Sequence, residues 1–259
     1  MRFLFIGDIV GRPGRSIVKS ILSQLKVENN VDMVIANAEN AAGGNGLTEQ
    51  VANELYNNGV DFITLGNHVW DKKDILDFID REERIIRPAN YPPGTPGKGY
   101  KVFSKNNIKV SIVNLQGRVY MQALECAFRT MDNILLQIAN QTKIIIVDVH
   151  AEATSEKMAL GYYLDGKVSA VLGTHTHIQT ADDKVLPKGT GYITDVGMTG
   201  PYESVLGIKK ENIIARFLTQ MPNRFEVATG TSQLNAVFIE IDNATGRTIK
   251  IERLQKYCD

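Results

Sequence analysis

Apolar runs and amphipathic segments alternate along the first third of the chain. Three strand-like runs, RFLFIG, DMVIAN and DFITLG, are separated by RSIVKSILSQLKV and TEQVANELYNNG, whose apolar residues recur at helical spacing. This βαβαβ order is typical of a sheet whose strands are joined by helical crossovers. The pattern therefore predicts an α/β fold.

The pattern changes after Arg87. The segment RPANYPPGTPGKGY is rich in proline and glycine, which predicts a surface loop over residues 88–99 that runs near the functional site. YKVFS and KVSIVNL are predicted strands, and the two asparagines between them are a candidate hairpin turn. A helix-like segment from about Gln122 to Asn140 then leads to the apolar run KIIIVDVH.

The remaining sequence continues with a predicted helix at TSEKMALGYYL, whose start carries a capping-box pattern at Thr154 or Ser155. KVSAVLG and GYITDVG are predicted strands, a helix is predicted near Lys209 to Gln220, and NAVFIEID and TIKIERL are predicted late antiparallel strands. No repeat, low-complexity tract or linker interrupts the chain. We therefore expect one domain over residues 1–259.

The composition is that of an ordinary soluble globular protein, with 43% hydrophobic and 22% charged residues over 259 positions. The formal net charge is zero, which argues against binding to duplex nucleic acid or to an anionic membrane. The apolar start MRFLFIGDIVG is too short for a signal peptide, and no later run approaches the length of a membrane span. A cytoplasmic protein is the expectation.

Only four histidines occur, and each stands at or just past the end of a strand-like run. His68 ends DFITLGNH, His150 ends KIIIVDVH, and His175 and His177 end SAVLGTHTH. The spacing of two can point the rings of His175 and His177 to one side of an extended segment. Because imidazole is the commonest protein ligand of transition metals, this placement predicts a metal site at the rim of a sheet.

Carboxylates and amides occupy similar positions. Asp8, Glu39, Asn40 and Asn67 all lie at or just past the carboxyl ends of predicted strands. In α/β sheets the binding crevice forms outside these ends, so residues distant in sequence can meet there. Together with the four histidines they are too many ligands for one ion, and the set suits two.

Two divalent ions about 3.5–4 Å apart need a carboxylate that bridges them and further ligands on each side. Glu39 is the candidate bridge. Asp8, Asn40 and one of the paired histidines would complete one ion, and Asn67, His150 and the other paired histidine would complete its neighbour. This mixture of imidazole, carboxylate and amide oxygen suits iron, manganese or zinc.

Charge counting favours a phosphate substrate, because two divalent ions outweigh Asp8, Glu39 and a bridging hydroxide by about one positive charge. The ions would activate a bridging water for in-line attack on phosphorus. His68 is the candidate general acid. It follows Asn67 directly, and adjacent side chains of an extended segment diverge, which leaves its ring free to face the substrate.

The order of these residues resembles the calcineurin-like metallophosphoesterase superfamily. More closely, GDIVG, NAENAAGGNG, TLGNHVWD, VDVHAEATSEK, LGTHTHIQTAD and DVGMTGP resemble the bacterial YmdB-type cyclic-nucleotide phosphodiesterases. These motifs span the chain from Asp8 to Pro201. The resemblance implies a four-layer α/β/β/α sandwich with mixed sheets. It also implies hydrolysis of 2′,3′-cyclic nucleotides to 3′-nucleotides at a di-iron or di-manganese centre.

The family pattern further implies a role for each site residue. It places Asp8, Glu39, Asn40 and His177 on one metal, places Glu39, Asn67, His150 and His175 on the other, and makes His68 the proton donor. Two positions depart from the wider superfamily. Val10 stands where a histidine ligand is usual, so Asn40 is its expected replacement, and Glu39 stands where the bridge is usually aspartate. An amide oxygen in place of an imidazole hardens one site, which leaves the preferred metal open.

Two other functions use overlapping residues. A metal- or nucleotide-binding regulatory protein would need the ligands but no general acid, so His68 favours an enzyme. A metal-dependent amide or ester hydrolase has no motif of its own in this chain. The expected partner is a small cyclic nucleotide or another phosphodiester, without duplex nucleic acid or a membrane, and the sequence leaves a homo-oligomer open.

Overall fold

Two β-sheets lie face to face in the computed structural model, which describes residues 1–259, and helices cover the outer face of each sheet. These four layers confirm the expected α/β/β/α class with mixed sheets. The strands are β1 (Arg2–Ile6), β2 (Asp8–Ile9), β3 (Met33–Asn37), β4 (Phe62–Thr64), β5 (Ile85–Ile86), β6 (Tyr100–Lys105), β7 (Ile108–Gln116), β8 (Ile144–His150), β9 (Ala170–Thr174), β10 (Lys184–Val185), β11 (Gly191–Ile193), β12 (Met198–Pro201), β13 (Ser232–Ile241) and β14 (Thr248–Cys258). The helices are α1 (Gly11–Glu28), α2 (Glu49–Asn57), α3 (Ile75–Phe78), α4 (Ala127–Ile138), α5 (Thr154–Leu164) and α6 (Lys210–Thr219).

Each sheet contains a block of parallel strands together with antiparallel strands. The first sheet has the order β2-β12-β13-β1-β3-β4-β5, with β14 paired to β13, and β1, β3, β4 and β5 are parallel. The second has the order β10-β11-β9-β8-β7-β6, and β7, β8, β9 and β11 are parallel. Both sheets therefore have parallel strands whose carboxyl ends can present loops to a shared site.

Successive side chains of β1 point alternately into two core layers and so hold the layers together. Phe3 and Phe5 point between the two sheets, into a cluster that includes Ile146 of β8. Leu4 and Ile6 point the other way, into the cluster formed with α1 and α2. All four β1 side chains are fully buried, and burial of each contributes about 1.5–3 kcal/mol. One short apolar run thus builds two core layers, while a third cluster packs α4 and α5 on the second sheet.

Helix α1 starts earlier than its apolar periodicity predicts, at Gly11 rather than near Arg15. Pro13 lies in the first turn, where a missing N–H is tolerated because the first N–H groups of a helix have no partner within it. Gly14 allows α1 to approach β12, since a Cβ there would collide with the carbonyl oxygen of Thr199. The helix consequently begins directly after β2, the short strand that carries Asp8.

The predicted asparagine hairpin is confirmed, and so is the helix predicted from about Gln122 to Asn140, but it begins later, at Ala127. Asn106 and Asn107 have φ of 52° and 63°, the left-handed pair that a two-residue hairpin turn requires. Residues 122–126 are not helical, because Asn90 accepts the backbone N–H of Glu125 through its carbonyl and donates its side-chain amide to the carbonyl of Glu125. This tertiary contact overrides the local helix propensity.

The predicted capping box at Thr154 or Ser155 is wrong. Helix α5 is preceded by Ala153 as the N-cap residue, and no side chain caps it. The helix instead contributes Glu156, whose carboxylate accepts the backbone N–H groups of Arg118 and Val119. That carboxylate orders the loop after β7 rather than the start of its own helix.

The proline-rich segment is a loop, as predicted, and its anchor is Arg87. The Arg87 guanidinium donates to the backbone carbonyls of Pro88, Thr95, Pro96 and Gly97. A buried cation thus gathers the carbonyl groups of a segment that has few N–H donors of its own.

None of the six helices has the length and apolar character needed to cross a membrane.

Candidate metal centre

The structure brings all eight predicted site residues together at the carboxyl ends of the parallel strands. They come from both sheets, not from one: the first sheet contributes Asp8, Glu39, Asn40, Asn67 and His68, and the second contributes His150, His175 and His177. Seven of these residues are joined by direct contacts of 2.9–3.2 Å, and Asp8 joins them through the backbone N–H of His175 at 3.1 Å.

Glu39 is central to this arrangement. Its Oε1 lies 3.1 Å from His150 Nε2 and accepts the side-chain amide of Asn40 at 3.1 Å. Its Oε2 accepts the backbone N–H of His68 at 3.0 Å. Burial alone would raise the pKa of Glu39, but the neighbouring His150 outweighs burial and lowers it to about 2. The two oxygens of one ionised carboxylate therefore face different parts of the site.

Gly66 leaves room for this carboxylate. A Cβ on Gly66 would overlap both Oε2 of Glu39 and the ring of His150. The glycine of the Gly66-Asn67-His68 motif is thus required by close approach, since two ligand-type side chains occupy the space that any other residue would fill.

A chain of hydrogen bonds fixes the orientation of His150. The hydroxyl of Thr174 donates to Asp148 Oδ1 at 2.7 Å, so its oxygen accepts from His150 Nδ1 at 2.9 Å. Nε2 then faces Glu39 Oε1, Asn67 Oδ1 and His175 Nδ1, at 2.9–3.1 Å. Burial raises the pKa of Asp148 to about 7, and a cation beside His150 would lower it.

Replacing Thr174 by valine should weaken metal binding by roughly 10–100-fold, the usual effect of losing a partner that orients a ligand. Valine keeps the shape but removes the hydroxyl that connects His150 to Asp148. Isothermal titration with Mn²⁺ would measure the affinity. Thr174→Ser is the matched control, because it keeps the hydroxyl, and equal affinities for the two variants would contradict this role.

His175 and His177 reach the site from a strained turn, not from the extended segment expected from their spacing. Strand β9 ends at Thr174, and the two histidines have φ of 98° and 66°. Such left-handed conformations cost about 1–3 kcal/mol each for residues other than glycine. His177 Nδ1 donates to the carbonyl of Leu206 at 3.0 Å, and His175 Nε2 lies 3.1 Å from Glu152. These contacts turn His177 Nε2 and His175 Nδ1 toward the centre.

A buried ion pair holds this turn in place. Asp195 Oδ2 accepts the backbone N–H and the hydroxyl of Thr176, at 3.0 and 2.7 Å, and binds Lys157 Nζ at 2.6 Å. Its Oδ1 accepts the N–H of Gly197 at 2.8 Å. Lys157 and Asp195 are both fully buried. Three hydrogen bonds and one cation thus offset the strain between His175 and His177.

Substitution of Lys157 by methionine should reduce the free energy of unfolding by about 3–5 kcal/mol, because it leaves the Asp195 charge buried without its cation. Urea denaturation followed by circular dichroism would measure the change. Lys209→Met is the matched control, since its ion pair with Glu226 is also 2.6 Å long but half-exposed, and it should cost at most about 1 kcal/mol. Equal losses for the two variants would refute this assignment.

The surroundings of the Asp8 carboxylate show whether the site suits a cation. Its Oδ2 accepts the backbone N–H of His175, but its Oδ1 is fully buried and has no hydrogen-bond partner. Burial raises the pKa of Asp8. Oδ1 lies 3.9 Å from His177 Nε2 and 4.0 Å from His150 Nδ1. An unpartnered carboxylate oxygen among imidazoles is the environment that a bound cation would complete, so these residues fit a metal.

His68 differs from the other histidines because its side chain is 39% exposed. Its Nδ1 donates to Asp71 Oδ2 at 2.8 Å, and the same oxygen accepts the side-chain amide of Asn45 at 3.0 Å. His68 lies on a turn, so its divergence from Asn67 results from the turn and not from an extended strand. The Asp71 contact leaves Nε2 available to a ligand.

A cavity of about 530 Å³ opens onto the site. Glu39, Asn40, His68, His175 and His177 line its polar part. Its size lies within the range of small-molecule sites. The remaining walls come from residues 43–45, with Val10, Glu152, Thr176, Leu206, Ile208, Phe225 and Val227. The proline-rich loop over residues 88–99 does not line the cavity, but it runs near the site as expected, because its Tyr91 packs against Trp70, two positions after His68.

Comparison with known proteins identifies the family. A family model described as YmdB-like protein matches residues 4–254. The chain belongs to the YmdB-like family. It is 53% identical, over 98% of its length and 96% of the relative's, to the 2′,3′-cyclic-nucleotide 2′-phosphodiesterase of Bacillus subtilis strain 168. The family and the expectation of an enzyme are thereby confirmed.

Solved structures agree with this membership. A hypothetical protein from Thermus thermophilus superposes with a TM-score of 0.94 at 44% identity and covers 99% of both chains. A novel phosphatase from Mycoplasma pneumoniae superposes with a TM-score of 0.95 at 39% identity, covering 99% of this chain and 93% of the other. The YmdB-like fold thus extends over the whole chain described here.

Sequence reasoning missed several residues that shape the YmdB-like site. Asp71, Asp148, Lys157, Thr174 and Asp195 each orient a site residue or the turn that carries it. All five lie within the motifs that carry the family resemblance, and membership of a motif is the one signal that could have found them. The pairing of Lys157 with Asp195 has no signal in the sequence, because the two residues meet across 38 positions.

Proposed function

We propose that this protein is a metal-dependent phosphodiesterase that hydrolyses 2′,3′-cyclic nucleotides to 3′-nucleotides. The observation that carries the proposal is the convergence of three histidines, two amides and a second carboxylate around Glu39, beside a cavity that also contains His68. The named activity of the Bacillus subtilis relative supports the substrate class. The family's relationship to phosphatases supports phosphorus chemistry more broadly.

In this proposal two ions share Glu39. Asp8, Asn40 and His177 would hold one, and Asn67, His150 and His175 would hold the other. Asn67 already turns its oxygen to the centre, whereas Asn40 turns Nδ2 toward Glu39 and His177, so ligation by Asn40 requires a half-turn of its amide. The mixed nitrogen and oxygen ligands favour iron or manganese.

Bound ions would neutralise the phosphate charge and activate a water for attack on phosphorus. Water then forms the new P–O bond as the bond from phosphorus to the 2′-oxygen breaks, which leaves the phosphate on the 3′-oxygen. The departing 2′-alkoxide needs a proton, and in this proposal His68 Nε2 donates it while Asp71 holds Nδ1. Asp71 is therefore a positioning residue in this proposal.

One experiment tests the proposal directly. Purified protein would be loaded with Fe²⁺ or Mn²⁺, its metal content measured, and its turnover of 2′,3′-cyclic AMP, 3′,5′-cyclic AMP and an open dinucleotide compared. We expect two ions per chain, fastest turnover of the 2′,3′-cyclic ester, and 3′-AMP as the product. Binding of two ions without hydrolysis of any of these esters would instead favour a regulatory metal- or nucleotide-binding role.

A further inference from the structure

Part of the cavity wall is apolar, and most of it comes from one segment of the chain. Leu206, Ile208, Phe225 and Val227 line the cavity, and Val10 adjoins them. Phe225 and Leu206 expose 47% and 46% of their surface, although large apolar side chains are usually buried. A site that handled only inorganic phosphate or a simple phosphate ester would have no use for such a wall.

The apolar wall is fixed relative to the metal-ligand residues. The carbonyl of Leu206 accepts the Nδ1–H of His177 at 3.0 Å, and Leu206 has a strained φ of 53°. Ile208 forms isolated β-bridges with Val205 and Val227, so the two halves of the wall are joined through the backbone. A ligand whose phosphate lies beside His177 is therefore within the same enclosure as the apolar side chains.

The Phe225 ring is held by contacts with its neighbours. The guanidinium of Arg216 lies 4.9 Å from the Phe225 ring centroid, in a cation–π contact over one face. The next residue, Glu226, is held by Lys209 through both a side-chain ion pair and a backbone hydrogen bond. Arg216 thus holds a ring that also lines the cavity and is about half exposed, so the ring can stack against a planar group.

We propose that Phe225, with Leu206, Ile208 and Val227, forms the nucleobase subsite of this enzyme. The inference rests on the proposed phosphodiesterase function, since it is the phosphate at the metal centre that directs the base toward this wall. Stacking of a base on an aromatic side chain is worth about 1–3 kcal/mol, or roughly 5–150-fold in affinity, and tolerates every base. Purines present the larger face, so they should bind more tightly than pyrimidines.

The test compares substrates that share the cyclic phosphate but differ in the base: 2′,3′-cyclic AMP, 2′,3′-cyclic CMP and ribose 2′,3′-cyclic phosphate without a base. We expect KM of the wild type to rise in that order. Phe225→Ala should raise KM for 2′,3′-cyclic AMP roughly 5–150-fold, leave its kcat nearly unchanged, and leave kcat/KM for the base-free ester unaltered. Phe225→Trp should restore the low KM.

Phe217→Ala is the matched control, because Phe217 is an exposed phenylalanine of α6 that does not line the cavity, and its kinetics should equal those of the wild type. Equal KM values for the three substrates in the wild type would overturn the subsite while leaving the phosphodiesterase function intact. An equal loss on the base-free ester in Phe225→Ala, or an equal rise of KM in Phe217→Ala, would also overturn it. If the wild type hydrolysed none of the three, the proposed function itself would fail, and the subsite with it.

Discussion

Replacement of His68 by alanine is expected to lower kcat for 2′,3′-cyclic AMP by roughly 10²–10⁴-fold while the metal content stays unchanged. The ring of His68 contacts Asp71, and only the backbone N–H of His68 contacts Glu39, at 3.0 Å. Alanine keeps that N–H, so the central carboxylate loses no hydrogen bond. Metal analysis and steady-state kinetics on the same preparation measure both quantities.

A substrate with a better leaving group separates proton donation from other roles of His68. Bis(p-nitrophenyl) phosphate releases a phenolate that leaves without protonation, so His68→Ala should retain most of its activity toward this ester. Asp71→Asn should lower kcat for the cyclic nucleotide less than His68→Ala does, since it disturbs only the orientation of the ring. Equal losses of His68→Ala on both substrates, or a loss of metal, would exclude the role of general acid.

The fold follows from local sequence where strands are apolar and long. The runs that form β1, β3, β8 and β9 are evident because each contributes buried side chains to two core layers. Strands β2, β5 and β10 have two residues each and exist only through pairing with distant segments. No periodicity can be read from two residues, so such strands cannot be predicted from the sequence pattern.

The ligand-type residues of the site could also be predicted, but their geometry could not. Strand ends identify Asp8, Asn67 and His150, since parallel strands of one sheet end at the same edge. The site is divided between two sheets because Phe3 and Phe5 pack against the second sheet, whose strands are distant in sequence. The residue pattern alone does not reveal this packing. The strained backbone of the turn from His175 to His177 is likewise set by Asp195, a contact that the period-two spacing does not indicate.

The apolar wall of the cavity could not be predicted from the sequence either. Residues 206–227 show helical spacing only near α6, and α6 contains no buried residue. His175 and His177 lie about fifty positions before Phe225. The sequence therefore offers no reason to associate Phe225 with these histidines. The hydrogen bond from His177 to the carbonyl of Leu206 and the close approach of Val227 to Gly11 and Gly44 bring this segment to the cavity.

Glu39→Gln should remove most activity and reduce bound metal from two ions per chain to one or none. The substitution keeps the shape of the side chain but removes the charge that a shared ligand must supply to two cations. It also changes the environment of His150, because burial alone would lower the pKa of that imidazole, and the Glu39 carboxylate outweighs burial and raises it to about 9. Metal analysis after dialysis, with kcat/KM for 2′,3′-cyclic AMP, measures the effect.

Glu152→Gln is the control for this last substitution. Glu152 also lines the cavity and lies 3.1 Å from His175, but its side chain is 48% exposed and contacts only the outer nitrogen of that ring. Glu152→Gln should therefore retain two ions and most activity.

Glu39→Asp tests the length of the shared carboxylate. A shorter side chain cannot reach both His150 and the His68 N–H, so this variant should bind metal more weakly than the wild type. Two tightly bound ions in Glu39→Gln would show that Glu39 is not the shared ligand, since no other carboxylate of the site lies against both His150 and the His68 backbone.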